Sequence, residues 1–201
     1  ENPQPGRNLV SMLELFTHLM HSYNLTSATL EGGKETIRHL SQLADSFQDV
    51  KAYQARLEEG DPVVYRVSAV EPAEGPGDLH FGLGTLYPGK VGQEYFLTKG
   101  HYHSRREAAE VYIGLAGAGR MLLEDENSGE SRLEELGQGQ VVYVPGYTAH
   151  RTINVGTKPL VYFGIYPADA GHDYGAIAER NFLKVLVDEG GEPVLRDRDS
   201  S

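Results

Sequence analysis

Three histidines and one glutamate lie in two short segments of this chain and could together bind a metal ion. His101 and His103 form an H-x-H pair, Glu110 follows in the same segment, and His150 lies in the second segment. Side chains alternate between the two faces of a β-strand, so both imidazoles of the pair would point the same way, roughly 6–7 Å apart. Imidazole nitrogens bind zinc, iron, copper or nickel, and a carboxylate oxygen adds manganese to that set. The four residues therefore predict a metal site.

The residues around these four have a spacing that is typical of strands joined by tight turns. In the second segment Gly139, Pro145, His150 and Asn154 follow one another in order. Together with the H-x-H segment, this pattern resembles the paired motifs of the cupin superfamily, although Tyr147 stands where a glycine is usual. The resemblance implies a mainly β protein, a cupin double-stranded β-helix or jelly-roll barrel, which binds one metal ion per subunit.

Two glutamates compete for the place of the carboxylate ligand. Glu107 has the common three-residue spacing after the H-x-H pair and places Gly114 correctly, whereas Glu110 places Gly117. Glu110 opens the apolar run 111–113, while Glu107 follows a polar segment that is typical of a loop. We therefore predict that Glu110 is the ligand.

Four phrases resemble the cupin-type glucose-6-phosphate isomerases of archaea and some bacteria. They are Asp61–Tyr65, Leu86–Gly92, Leu97–His101 and Tyr166–Gly175. The last phrase belongs to no general cupin pattern and is the most specific of the four. The resemblance implies the interconversion of glucose 6-phosphate and fructose 6-phosphate in glycolysis and gluconeogenesis. It also implies His101, His103, Glu110 and His150 as ligands of a divalent ion, with Fe(II) expected first and manganese, nickel or zinc as alternatives.

The isomerisation itself requires a hydrogen to move between the first two sugar carbons. A divalent ion would polarise the carbonyl, and the resemblance implies Glu110 as the general base. A hydride shift in which Glu110 only orients the substrate and a tyrosine assists is the alternative, and the sequence leaves both open. Tyr112 lies two positions after Glu110 and should share its face, while Tyr147 and Tyr166 match family positions near the sugar.

The phosphate group of such a substrate needs hydrogen-bond donors and positive charge. Thr98, Lys99 and Gly100 precede the first histidine. Strand alternation would put Lys99 on the face of His101, but a turn at Gly100 would reset the alternation and leave backbone N–H groups for an anion. Lys99 and Arg151 are the candidate cations.

The tail phrase supplies two further candidates. His172 and Tyr174 are expected to close over the sugar phosphate. In one respect the chain departs from the family, because Leu83 and Gly84 stand where family members carry hydroxyl residues. Thr85 or other donors would then replace those hydroxyls.

The composition is that of an ordinary globular enzyme. The chain has 201 residues, 39% hydrophobic and 23% charged, with no cysteine, so disulfides and thiolate ligands are excluded. A formal charge of -11 argues against nucleic-acid binding and means that an anionic substrate must meet a local positive patch. No signal peptide or membrane span is evident. We expect a cytoplasmic protein, and the resemblance implies a homodimer.

The periodicity divides the chain into two predicted regions. Residues 8–57 have apolar residues at helical spacing, including Met12, Leu15, Phe16 and Leu19 and then Ile37, Leu40 and Leu43. We predict an N-terminal helical extension, residues 1–60, packed on a barrel of residues 61–201. Short strands are expected over 63–70, 80–87, 94–99, 111–115, 119–124, 140–144 and 160–165, followed by a hairpin that turns at Gly190-Gly191.

Two other functions fit the same four residues. A cupin dioxygenase can use a similar iron site and would need no phosphate pocket. A non-catalytic cupin would bind the sugar phosphate without converting it.

Overall fold

The computed structural model describes residues 20–198, which form short antiparallel strands with few helices. The strands are β1 (Tyr23–Asn24), β2 (Thr29–Leu30), β3 (Lys34–His39), β4 (Val63–Val70), β5 (Leu79–Leu86), β6 (Lys90–Val91), β7 (Glu94–Tyr95), β8 (Glu110–Ala116), β9 (Ala118–Asp125), β10 (Ser131–Gly137), β11 (Val141–Val144), β12 (Thr148–Asn154), β13 (Leu160–Pro167), β14 (Lys184–Glu189) and β15 (Glu192–Asp197). The helices are α1 (Val50–Glu58) and α2 (Gly175–Arg180), with a 3₁₀ segment at Leu40–Ser46. The predicted mainly β class is confirmed.

Two antiparallel sheets enclose the main core. One has six strands in the order β11-β8-β13-β5-β4-β3, and the other has three in the order β10-β9-β12. Leu86 of β5, Met121 of β9 and Ile153 of β12 are fully buried in one hydrophobic cluster between them. This arrangement is the jelly roll that the sequence predicted. A third sheet, β15-β14-β7-β6, includes the predicted C-terminal hairpin, whose turn glycines Gly190 and Gly191 both have positive φ.

Two strands carry functional candidates into the core. In β8, Glu110, Tyr112 and Gly114 are buried while the residues between them are half-buried, as expected for a strand with one face toward the core. Every residue of β12 is buried, including His150. Because β8 pairs with β11 on one side and β13 on the other, Glu110 and Tyr112 have a rigid backbone.

The prediction of a helix that includes Ile37 is wrong. Residues 34–39 form β3, which pairs with β4 at the edge of the six-stranded sheet, and Leu40 and Leu43 lie in the 3₁₀ segment. A few apolar residues at helical spacing do not outweigh sheet pairing with a neighbouring strand. Helix α1 falls within the predicted region. Met12, Leu15, Phe16 and Leu19 lie outside the described residues, and the division at residue 60 stays a prediction.

The H-x-H pair does not lie on a regular strand. The predicted strand over 94–99 is reduced to β7, and the chain then runs beside β12 through isolated backbone pairs, Leu97 with Ile153 and His101 with His150. Gly100 interrupts this run with φ +75°, in the left-handed region that favours glycine. Strand β10 and helix α2 were not predicted. Among the described helices, none is long and apolar enough to cross a membrane.

Candidate metal centre

The structure brings His101, His103, Glu110 and His150 together. One potential ligand atom from each lies within 4.8 Å of those of the other three. Reciprocal backbone hydrogen bonds of 3.2 and 3.1 Å between His101 and His150 join the two segments directly. The two segments that the motif spacing singled out therefore meet at one point between the sheets.

Hydrogen bonds fix the orientation of two of the rings. His103 Nδ1 lies 2.9 Å from the carbonyl oxygen of Ala108, and His150 Nδ1 lies 3.2 Å from that of Thr148. A carbonyl oxygen only accepts, so each Nδ1 carries a proton and donates it. In the neutral rings, both Nε2 atoms then have a lone pair for the centre of the cluster, the arrangement usual for metal-binding histidines.

The carboxylate of Glu110 faces both of these nitrogens with one oxygen. Its Oε2 lies 3.2 Å from His103 Nε2 and 3.1 Å from His150 Nε2. The Nε2 of His101 is buried and has no hydrogen-bond partner among the described residues. Three imidazole nitrogens and an anionic oxygen therefore converge on one point, and one of these nitrogens, His101 Nε2, is buried without a partner in the described part of the chain. Such a set of donors is suited to a divalent cation. The residues present therefore fit the predicted metal.

The electrostatics agree with this arrangement. Burial alone would raise the pKa of Glu110, but the nearby rings of His103 and His150 lower it to about 2, so the group is a carboxylate. Burial and the neighbouring histidines hold the pKa of His101 well below its usual value, which keeps that imidazole neutral. A neutral imidazole and an ionised carboxylate are the forms that bind metals.

Glu107, the competing glutamate, lies away from the cluster. Its side chain is exposed and accepts a hydrogen bond of 3.0 Å from the hydroxyl of Tyr147. Tyr147 is 41% exposed and does not line the cavity described below, so the structure does not bring it to the centre. The backbone of Tyr147 has a φ of +59°, a conformation that glycine adopts easily and that has a steric cost for a tyrosine.

A cavity of about 230 Å³ opens at this cluster and is lined by His101, Glu110 and His150 but not by His103. Of the predicted site residues, Thr98, Gly100, His101, Glu110, Tyr112, His150, Tyr166, His172 and Tyr174 line it. Residues that the sequence analysis did not propose also line it, among them Thr36, Arg38, Tyr65, Glu71 and Tyr162. A larger open groove of about 860 Å³ lies along β10 and β11 and contains none of the four clustered residues.

Aromatic rings from the tail phrase cover the cluster. The His172 ring lies 4.5 Å from that of His101 and 5.5 Å from that of Tyr166, and it stacks on Tyr174 with an interplanar angle of 7°. Burial lowers the pKa of His172, which favours the neutral ring. The phrase that is most specific to the predicted family thus forms one wall of the cavity.

Asp173, between these two rings, holds the tail phrase in place. Its backbone pairs with Tyr102, the middle residue of the H-x-H pair, through hydrogen bonds of 2.7 and 3.2 Å. Its carboxylate accepts from Arg106 at 2.7 Å and from the N–H of Ala176 at the start of α2. The H-x-H segment and the covering rings are therefore one connected unit.

The anion-binding candidates divide clearly. Thr98 and Gly100 line the cavity and Lys99 does not, because the left-handed turn at Gly100 resets the alternation. The Lys99 ammonium lies 5.5 Å from the centre of the Tyr174 ring. Arg151 is buried against the ring of Phe182 and donates to the carbonyl oxygen of Lys99, so it supports the backbone of this turn.

Arg38 is the cation that the sequence analysis missed. It lies on β3, in the segment for which the sequence predicts a helix, and is the only lysine or arginine among the described residues that line the cavity. Most described arginines are ion-paired with a carboxylate, whereas Arg38 makes no such pair and donates only to the carbonyl oxygen of Ile37 at 3.3 Å. Arg38 belongs to none of the motifs, so the sequence points to it only through the general need for positive charge near an anionic substrate.

Comparisons with known proteins match most of this chain to one family. A family model described as glucose-6-phosphate isomerase (GPI) matches residues 37–200. The glucose-6-phosphate isomerases of Thermococcus litoralis and Pyrococcus horikoshii are 53% and 52% identical, over 84% and 85% of this chain and 88% and 90% of theirs. A putative glucose-6-phosphate isomerase 2 of Rhizobium meliloti is 38% identical over 90% of both chains.

Among solved structures, an oxalate oxidase in complex with the substrate analogue glycolate has a TM-score of 0.48 at 12% identity, over 57% of this chain and 56% of that one. The sequence matches are far more extensive. Since the family model and these relatives cover most of the sequence, this chain belongs to the glucose-6-phosphate isomerase family.

Proposed function

We propose that this protein interconverts glucose 6-phosphate and fructose 6-phosphate with one divalent ion bound by His101, His103, Glu110 and His150. The observation that carries the proposal is the convergence of three imidazoles and one carboxylate beneath a cavity lined by hydroxyl groups and one arginine. Relatives about half identical in sequence are named as this isomerase, which supports the same reaction. Fe(II) remains our first expectation for the ion, and manganese, nickel and zinc suit the same donors.

When bound, the ion would supply Lewis acidity toward the carbonyl and hydroxyl oxygens of the first two sugar carbons. The protein supplies orientation. His103 and His150 are fixed by their Nδ1 hydrogen bonds, so their positions do not depend on the substrate. Preorganised groups of this kind avoid reorganisation during the reaction.

Glu110 is our proposed general base, and its two oxygens have different surroundings. Oε2 faces His103 and His150, whereas Oε1 lies against Gly164, where an added Cβ would come within 2.7 Å of it, so the missing side chain makes room for that oxygen. Tyr112 shares the cavity face and interacts with the same carboxylate. One oxygen can therefore contact the metal while the other accepts a substrate proton.

We expect the phosphate to contact Thr98, Gly100 and Arg38, which all line the cavity. The N–H of Gly100 has no hydrogen-bond partner among the described residues, and Thr98 lines the same cavity. Arg38 supplies the local positive charge that a dianion needs in a protein with a net charge of -11. A free N–H, a hydroxyl and a guanidinium form a phosphate site.

His172, Tyr174 and Tyr166 would cover the bound sugar. Their rings form the wall beside His101, and Tyr166 is half-buried with burial raising its pKa to about 12, so its hydroxyl stays protonated. A protonated phenol can donate a hydrogen bond to a substrate oxygen. Excluding water at this wall would limit loss of protons to solvent.

A coupled spectrophotometric assay with fructose 6-phosphate tests the function. We expect turnover by the purified protein, loss after verified chelation and recovery on addition of Fe(II) or Mn(II). Activity that survives complete metal removal would refute the metal-dependent mechanism, and no turnover with any divalent ion would refute the isomerase. Oxygen consumption measured in parallel tests a dioxygenase.

We also propose that the protein is a homodimer. The family resemblance supports this proposal. Light scattering coupled to size-exclusion chromatography measures the mass of the assembly, and a mass of about 22.1 kDa, that of one chain, would contradict the dimer.

A further inference from the structure

Gly84 on β5 provides a socket for the ring of Tyr162 on β13. The two residues are directly paired across the strands. A Cβ added at Gly84 would lie 2.4 Å from Cζ and 2.7 Å from the hydroxyl oxygen of Tyr162. Nonbonded carbon atoms do not approach so closely, so the tyrosine occupies the space that a side chain at position 84 would need. The hydroxyl of Tyr162 therefore stands close to where a hydroxyl carried by residue 84 would stand.

Thr85 does not supply that hydroxyl. Along β5, Gly82 and Gly84 line the cavity, and Thr85 faces the other way, 1% exposed and with no partner for its Oγ1. Leu83 is packed in a separate hydrophobic cluster. Among the candidates raised by the sequence at this strand, none presents a hydroxyl to the cavity.

The hydroxyl of Tyr162 instead enters a chain of three hydroxyl groups. It lies 3.1 Å from Thr152 Oγ1, which donates to Thr98 Oγ1 at 3.3 Å. A threonine hydroxyl has one proton. Because Thr152 uses its proton toward Thr98, Tyr162 must donate to Thr152, and the direction of the chain is fixed.

The same count fixes the proton of Thr98. Thr98 Oγ1 accepts from Thr152 Oγ1 and, at 3.0 Å, from the backbone N–H of Thr152. Both acceptor positions of the oxygen are then used. The remaining proton of Thr98 is left for a partner in the cavity that Thr98 and Tyr162 both line.

We propose that Tyr162, seated in the Gly84 socket, is a positioning residue that orients the Thr98 hydroxyl as a donor to the substrate phosphate. This inference rests on the proposed function, since it assumes that Thr98 binds the phosphate. In this proposal, Gly84 and Tyr162 together replace a hydroxyl-bearing residue on β5 as the source of the hydroxyl group. Without Tyr162, the Thr152 hydroxyl is free to rotate, and Thr98 can direct its proton back to Thr152 instead of to the ligand.

The test measures binding of inorganic phosphate by calorimetry and steady-state kinetics with fructose 6-phosphate, on the metal-loaded protein. In Tyr162→Phe we expect the Kd of phosphate and the KM to rise about 3- to 10-fold, the range for one hydrogen bond, with kcat changed less than about twofold. Thr152→Val should give the same result, and Thr152→Ser, which keeps the hydroxyl, should restore wild-type values.

Tyr53→Phe is the matched control, because the Tyr53 hydroxyl is also buried but donates to the carbonyl oxygen of Leu40, away from the cavity. We expect no change in phosphate Kd or KM in this variant. Unchanged phosphate Kd and KM in both Tyr162→Phe and Thr152→Val would overturn the inference, as would an equal fall in kcat in both without a rise in KM. Wild-type protein that binds phosphate through this chain but does not convert fructose 6-phosphate would overturn the proposed function alone.

Discussion

Replacing Arg38 with glutamine tests the phosphate site at its charged residue. Arg38 is half-buried, lines the cavity and makes no ion pair with the described residues, so its guanidinium is available to a dianion. A hydrogen bond to a charged group contributes about 1.5–3 kcal/mol, and partial exposure to screening solvent reduces this to about 1–2 kcal/mol. At 1.4 kcal/mol per factor of ten, this predicts a rise in KM of about 5- to 30-fold.

The coupled assay with fructose 6-phosphate measures this change, and the salt concentration is varied. Arg38 is proposed to bind the phosphate and not to take part in proton transfer, so we expect kcat to change less than about threefold. The difference in KM between variant and wild type should shrink at high salt, because salt screens the charge of Arg38. Arg38→Lys should recover part of the loss, since an ammonium keeps the charge but not the planar pair of donors.

Arg66→Gln provides the control for this variant. Arg66 lies on the adjacent strand β4, pairs with Ile37 and forms an ion pair with Glu35, so it belongs to the face that does not line the cavity. Its replacement should leave KM unchanged. An Arg38→Gln protein with wild-type KM at low salt, or an equal rise in KM for Arg66→Gln, would refute the reasoning.

Three further predictions concern the metal centre and its covering wall. Glu110→Gln should lower kcat by at least about 100-fold, because it removes the proposed base and an anionic ligand, whereas Glu107→Gln should stay near wild type in the same assay; the reverse order would exclude Glu110. Metal removal should lower the melting temperature measured by calorimetry, and added divalent ion should raise this temperature with increasing concentration, because a ligand that binds the folded state stabilises that state by mass action. A melting temperature that does not depend on metal would contradict the proposed metal site. Asp173→Ala should raise KM several-fold with the metal content unchanged, because it removes the ion pair with Arg106 that holds the segment carrying His172 and Tyr174. Loss of bound metal, measured by elemental analysis, would show instead that this ion pair supports the metal ligands.

Several features of the fold were predictable because they are local. Strand β4 coincides with its prediction over 63–70, since alternating apolar residues between turn residues define a strand without reference to the rest of the chain. The glycine pair at 190–191 predicted the C-terminal turn for the same reason. Strand β3 was not predictable, because its few apolar residues fit either period and only pairing with β4 selects the strand.

The candidate site was likewise predictable where motif spacing decided it. The types and spacing of His101, His103, Glu110 and His150 were sufficient to propose a metal centre, and the structure places all four within 4.8 Å. Residues outside any motif had no such signal. Arg38 and Tyr162 come from strands far apart in sequence, and their shared cavity exists only after the six-stranded sheet has formed.

The sequence by itself therefore determined the chemistry of this protein: which donor atoms are present, which fold carries them and which family they belong to. The tertiary structure alone decided the orientation of the donors. A positive φ at Gly100 turned Thr98 rather than Lys99 to the cavity, and the absence of a side chain at Gly84 admitted the hydroxyl of Tyr162. These outcomes depend on contacts between distant strands, and no local pattern of residues contains them.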